Sequence, residues 1–168
     1  MVEICSPLGA RVTAADSSPQ FNIGARAFGN SGDVYIYTQY NTAGTGLANG
    51  HFVALVPSAS HHAEELTLAL SSGGWPIGVC QVGGTNSAIE VTAGAYFWAL
   101  IEGQGTFAVA SSCVGSVPLY TTSTAGVLDD AANGNIIRGV VINATVTGDG
   151  TRLATGTIRG GKAGAVIA

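Results

Sequence analysis

Val34-Tyr35-Ile36-Tyr37-Thr38-Gln39-Tyr40 is a run of aromatic and β-branched residues placed directly after the turn-forming Asn30-Ser31-Gly32-Asp33, and it reads as a β-strand. Segments of the same kind recur along the chain, at residues 52–56, 77–82, 88–91, 96–101, 106–110, 117–121, 136–147 and 152–158. Turn signals such as Gly44-Thr45-Gly46, Gly73-Gly74 and Gly148-Asp149-Gly150 separate them. Short strands at this spacing predict a mainly β domain, a small barrel or sandwich. Residues 141–147 and 151–158 are expected to form a hairpin that turns at Gly148-Asp149-Gly150.

At most one short helix is expected. Residues 61–70 follow Ser60 and carry Glu64 and Glu65 early, which suits a helix N-terminus. Leu66, Leu68 and Leu70 alternate as in a strand, so periodicity does not decide the segment, and the short helix is the preferred reading. Nothing resembles an interdomain linker. The expected organisation is an N-terminal arm (1–20), one β-rich domain (21–158) and a Gly-rich C-terminal tail (159–168). The tail's Gly160-Gly161-Lys162-Ala163-Gly164 is expected to fray in an isolated monomer.

Composition narrows the function. Of 168 residues only 10% are charged, against roughly a quarter in an ordinary soluble domain, while 46% are hydrophobic and 25 are glycine. A chain so poor in charge is expected to hide much of its surface against partners. The longest apolar run, residues 93–101, falls well short of the ~20 residues that span a bilayer. The opening Met1-Val2-Glu3-Ile4-Cys5-Ser6 lacks the basic and apolar regions of a signal peptide, so neither membrane insertion nor export by that route is expected. Net charge is −4, and the single lysine and the arginines are scattered singly, without the clustering that phosphate binding needs. Nucleic-acid binding is therefore not expected. Cys5, Cys80 and Cys113 are odd in number and widely spaced, which suits neither a disulfide framework nor a zinc site; buried free thiols are expected.

No stretch of the sequence carries a complete catalytic or metal-binding constellation. Gly29-Asn30-Ser31-Gly32-Asp33 faintly resembles the Gly-Asp-Ser-Gly-Gly of trypsin-like proteases, but no histidine has the setting of a general base, and a turn explains the stretch. On a helix, His61 and Glu65 would share a face at a metal-binding spacing, yet the nearby chain offers no third ligand. Asp129-Asp130 lacks the alternating oxygens of a calcium loop. Arg159-Gly160-Gly161-Lys162 is no phosphate-cradling loop. The expectation is no catalytic residue, no metal and no cofactor.

A series of segments resembles the capsid cement (decoration) proteins of tailed bacteriophages. Ile77-Gly78-Val79-Cys80-Gln81-Val82 followed by Ala93-Gly94-Ala95-Tyr96-Phe97-Trp98-Ala99-Leu100-Ile101-Glu102-Gly103 is similar to that family's Gly-Val-Ala strand, turn and Tyr-Gly-Trp-Val-type strand. Phe97 stands where a glycine is usual before the tryptophan. Leu119-Tyr120-Thr121-Thr122, continuing to Ala125-Gly126-Val127-Leu128-Asp129-Asp130, resembles its Leu-Tyr-Thr-Thr…Ala-Gly-x-x-Asp-Asp segment. Ile137-Arg138-Gly139-Val140-Val141 looks like the Ile-x-Gly-x-Val strand that follows, and Phe21-Asn22-Ile23-Gly24 like the family's Phe-x-Leu-Gly entry. The likeness covers roughly residues 20 to 145.

That resemblance implies a non-enzymatic virion protein, made in the bacterial cytoplasm and bound to the outer surface of the expanded head. It implies the major capsid protein as partner and self-association, a homotrimer first and a dimer second. Tyr96-Phe97-Trp98 is a candidate interface anchor, although large aromatics of a β domain are usually core. Two alternatives remain: a virion fibre or host-receptor-binding module using Trp75, and a small β-barrel hydrolase or lyase in which His61 and His62 meet distant carboxylates.

Overall fold

The computed structural model describes residues 11–29, 31–42, 46–57, 62–83 and 90–164. Strands β1 (Ala15–Asp16), β2 (Arg26–Phe28) and β3 (Val34–Tyr40) come first, then β4 (Leu47–Ala48), β5 (Phe52–Val56) and β6 (His62–Glu65). Helix α1 (Leu68–Ser71) precedes β7 (Ile77–Cys80), β8 (Glu90–Val91) and the long β9 (Tyr96–Val109). The order ends with β10 (Leu119–Thr121), β11 (Leu128–Asp129), β12 (Ile136–Ile142) and β13 (Arg152–Ala163).

The fold is mainly β, and its pairings close a barrel. β9 pairs with β3, β3 with β6, β6 with β5, β5 with β7, and β7 with β9 again. A second ring of pairings runs from β9 through β13, β12, β10 and β11, and returns to β9 where Leu128 lies opposite Val109. The two rings share β9: its residues 96–102 face β3, its residues 102–109 face β13, and Glu102 is common to both.

Gly103 makes this sharing feasible. Its φ of +121° is open to glycine, and a Cβ there would lie 2.8 Å from the Cα of Asp33. The Asp33 carboxylate accepts a hydrogen bond from the Gln104 N–H at 3.0 Å, fixing the strand just past the irregularity.

Alternation along β9 divides the core. Phe97 and Ala99 point into the first barrel with Tyr40, Val53, Ala63 and Cys80. Trp98 and Leu100 point out of it and join Phe52, Val79, Phe107 and Ile158 in a second, larger cluster. The outer face of one ring is therefore covered by the contents of the other. Each large side chain so buried contributes about 1.5–3 kcal/mol. Phe21 closes the cluster with its ring centroid 5.2 Å from Trp98 and 5.3 Å from Tyr37. Tyr37 Oη donates to Asp16 at 3.1 Å and accepts from the Gln20 N–H at 3.1 Å, while Ala15 pairs with Phe97. Ala15, Asp16 and Gln20, assigned to the arm from the sequence, are thus tied to β9 and β3.

Several sequence expectations change. Residues 62–65 are strand rather than helix, because Ala63 and Glu65 face inward while the backbone pairs with β5 and β3. The helix forms later, where the Thr67 hydroxyl caps the Leu70 N–H. Segments 96–101 and 106–110 merge into β9. β12 stops at Ile142, and the tight hairpin turn is replaced by a longer connection. There Val146 N–H donates to the Cys113 carbonyl and Gly115 N–H to the Thr145 hydroxyl, partners supplied by residues 113–115. β13 continues through residues 159–163, into the segment expected as a tail, with Pro76 and Lys162 bridged.

Candidate functional site

The sequence candidates land in separate places. Ser31 and Asp33 line a polar pocket of about 410 Å³ with Glu102, Gln104, Thr157 and Arg159. Neither His51 nor His62 lines it, so among the described residues no histidine is placed to act as base for a serine there. Asp33 is buried, and its backbone closes the turn by accepting the Gly29 N–H at 2.7 Å.

His61 lies outside the described residues. His62 and Glu65 sit on β6 with side chains on opposite faces, so residues 62–65 do not have the helical spacing expected there. Glu65 instead faces His51, Oε1 to Nδ1 at 2.6 Å, and Gly126 rests on the pair. This contact joins β6 to the residue before β5 and was invisible in the sequence, where the two lie fourteen positions apart.

Asp129 and Asp130 do meet a further group. The Cys113 sulfur and one oxygen of each carboxylate lie within 4.8 Å of one another. Burial and then the Asp130 charge push the Cys113 thiol up to about 11. Burial also raises Asp129, with Asp130 adding to it. The trio has the donor types of a divalent-cation site, and a cation bound there would displace the thiol proton, since the thiolate is the ligand. Cys80 is likewise buried and free, its thiol pushed up to about 12 by desolvation. Cys5 lies outside the described residues. Trp75 packs partly buried against the larger core cluster, and so does Tyr96; Phe97 and Trp98 are buried.

The most distinctive surface is one that sequence reading missed. Arg138 on β12 and Lys162 on β13 are direct cross-strand partners, and Arg159 lies opposite Glu102. Arg26 and Lys162 flank an apolar groove of about 570 Å³, floored by Val34, Ile36, Leu55 and Ile101. Phe28 stands at this groove 58% exposed. Among the described residues the one ion pair is His51–Glu65, so no described carboxylate forms a direct ion pair with these four cations, although Glu102 lines the same groove.

The site is thus a cation-flanked apolar groove on a closed β-barrel with a second ring of strands attached. No protein-family model matches the chain, and no curated protein matches it.

Proposed function

We propose that the chain is a cement subunit of a tailed-phage head, a non-enzymatic protein that binds the outer surface of the expanded shell and bridges neighbouring capsomers. The observation that carries this reading is where the resembling segments fall. Residues 77–82, 96–103, 119–130 and 137–141 occupy β7, β9, β10, β11 and β12 of one continuous sheet. They therefore form a connected structural unit rather than scattered likenesses. The low charge supports the same reading, because a subunit held between others gains stability from buried apolar contacts repeated by symmetry. The major capsid protein is the partner in this reading, and a homotrimer is the assembly. A fibre or receptor-binding module is less favoured, because Trp75, the anchor it would use, packs against the core.

The test is co-sedimentation of the purified protein with expanded heads that lack this subunit, followed by heating. Saturable binding that raises the rupture temperature is expected. Absence of binding to expanded heads overturns the reading.

A further inference from the structure

Four of the six basic residues, Arg26, Arg138, Arg159 and Lys162, are exposed: Arg26 and Lys162 line the apolar groove together with the one carboxylate Glu102, Arg138 is the cross-strand partner of Lys162, and Arg159 lies opposite Glu102. Like charges directly opposite one another in an antiparallel pair are destabilising, so the Arg138–Lys162 pairing does not serve the fold. An external anion would relieve it.

The surroundings specify what kind of anion. β2 ends the sheet: it pairs with β3 on one side, and no described strand covers its other side. Phe28, on β2, is the most exposed large hydrophobic residue described, and it borders the apolar groove beside Arg26 and Lys162. A phosphate backbone uses neither a free strand edge nor an apolar floor. An extended polypeptide uses both, hydrogen-bonding along the edge and placing alternate side chains on opposite sides.

We propose that the β2 edge and its groove bind an extended acidic segment of a partner protein. The segment adds to β2 as a strand, seats an apolar side chain against Phe28, and turns carboxylates toward Arg26 and Lys162, with Arg138 behind. The inference goes beyond the shell reading and does not depend on it.

The experiment uses the full chain and three fluorescent probes: a peptide of alternating valine and glutamate, the same peptide with lysine for glutamate, and a short oligothymidylate. Anisotropy titrations are expected to show saturable binding of the acidic peptide, at least about tenfold tighter than the lysine peptide and weakened by added salt. Arg26→Glu/Lys162→Glu and Phe28→Ser are each expected to lower that affinity about tenfold or more. Both change exposed side chains, and an unchanged melting temperature verifies the fold. The proposal is overturned if the acidic peptide does not bind, if the lysine peptide binds as well, or if neither variant alters binding. Preferential capture of the oligothymidylate also overturns it. Head binding is measured separately, so either reading can fail without the other.

Discussion

His51 Nδ1 lies 2.6 Å from Glu65 Oε1, with Gly126 packed so closely over the pair that a Cβ there would stand 2.8 Å from His51 and 2.9 Å from Glu65. The Gly126 backbone is bound on both sides, donating its N–H to the Leu66 carbonyl at 2.8 Å and accepting from the Phe52 N–H at 2.9 Å. The contact thus pins the 122–127 connection of the second ring to two strands of the first.

Replacing His51 with Ala leaves a buried carboxylate without its partner. A loss of about 1–3 kcal/mol is expected for His51→Ala, read by denaturant unfolding. Gly126→Ala should cost a comparable amount, because its φ of +69° and the crowding both oppose a side chain. A His51→Ala variant as stable as wild type would show that the pair contributes nothing.

The division of the core along β9 makes neighbouring substitutions act on different clusters. Phe97→Ala and Trp98→Ala should each cost about 3–5 kcal/mol. They should couple differently to a second truncation: Trp98→Ala non-additively with Phe21→Ala, its ring neighbour, and Phe97→Ala additively with it. Double-mutant cycles check this.

Gly139 has φ +75°, at the register shift between Arg138 and Val140, and a Cβ there would come 2.5 Å from the Arg159 carbonyl. Gly139→Ala is expected to destabilise by about 1–3 kcal/mol. Gly24→Ala has a similar φ of +87° but open space, so it should cost less. Melting temperatures of the two variants rank them.

Burial holds the Cys80 thiol protonated to about 12 and the Cys113 thiol to about 11, whereas both ionise near 9 when unfolded. A folded pKa above the unfolded one gives stability that is complete below pH 9 and is lost as pH rises toward 11–12. Stability should therefore fall steadily from pH 9 upward. Cys80→Ala should flatten that fall, though it lowers stability at neutral pH by removing a core contact. Unfolding curves from pH 7 to about 10.5 measure both effects.

Much of the architecture was legible locally. Aromatic and β-branched runs such as Val34–Tyr40 and Phe52–Val56 become strands because their side chains fit a half-buried pleated surface whatever they pair with. The burial of Cys80 and Cys113 followed from their apolar neighbours in the same way. The segment 61–70 failed because its alternation and its acidic start pointed to different elements. Pairing with β5 and β3 settled it, and those strands are distant choices that a local window does not contain.

The sequence by itself determined the β class, the positions of most strands and the scarcity of charge, since these depend on residue type and short spacing. Only the tertiary structure decided that β9 serves two rings, because ring closure depends on which distant edges meet. It alone joined His51 to Glu65 and Cys113 to Asp129 and Asp130. It also brought Arg26 and Lys162, which stand far apart in sequence, to one apolar groove, and set Arg138 opposite Lys162 and Arg159 opposite Glu102. Antiparallel register brings residues dozens of positions apart within a few ångströms, and the linear spacing of the charges carries no trace of it.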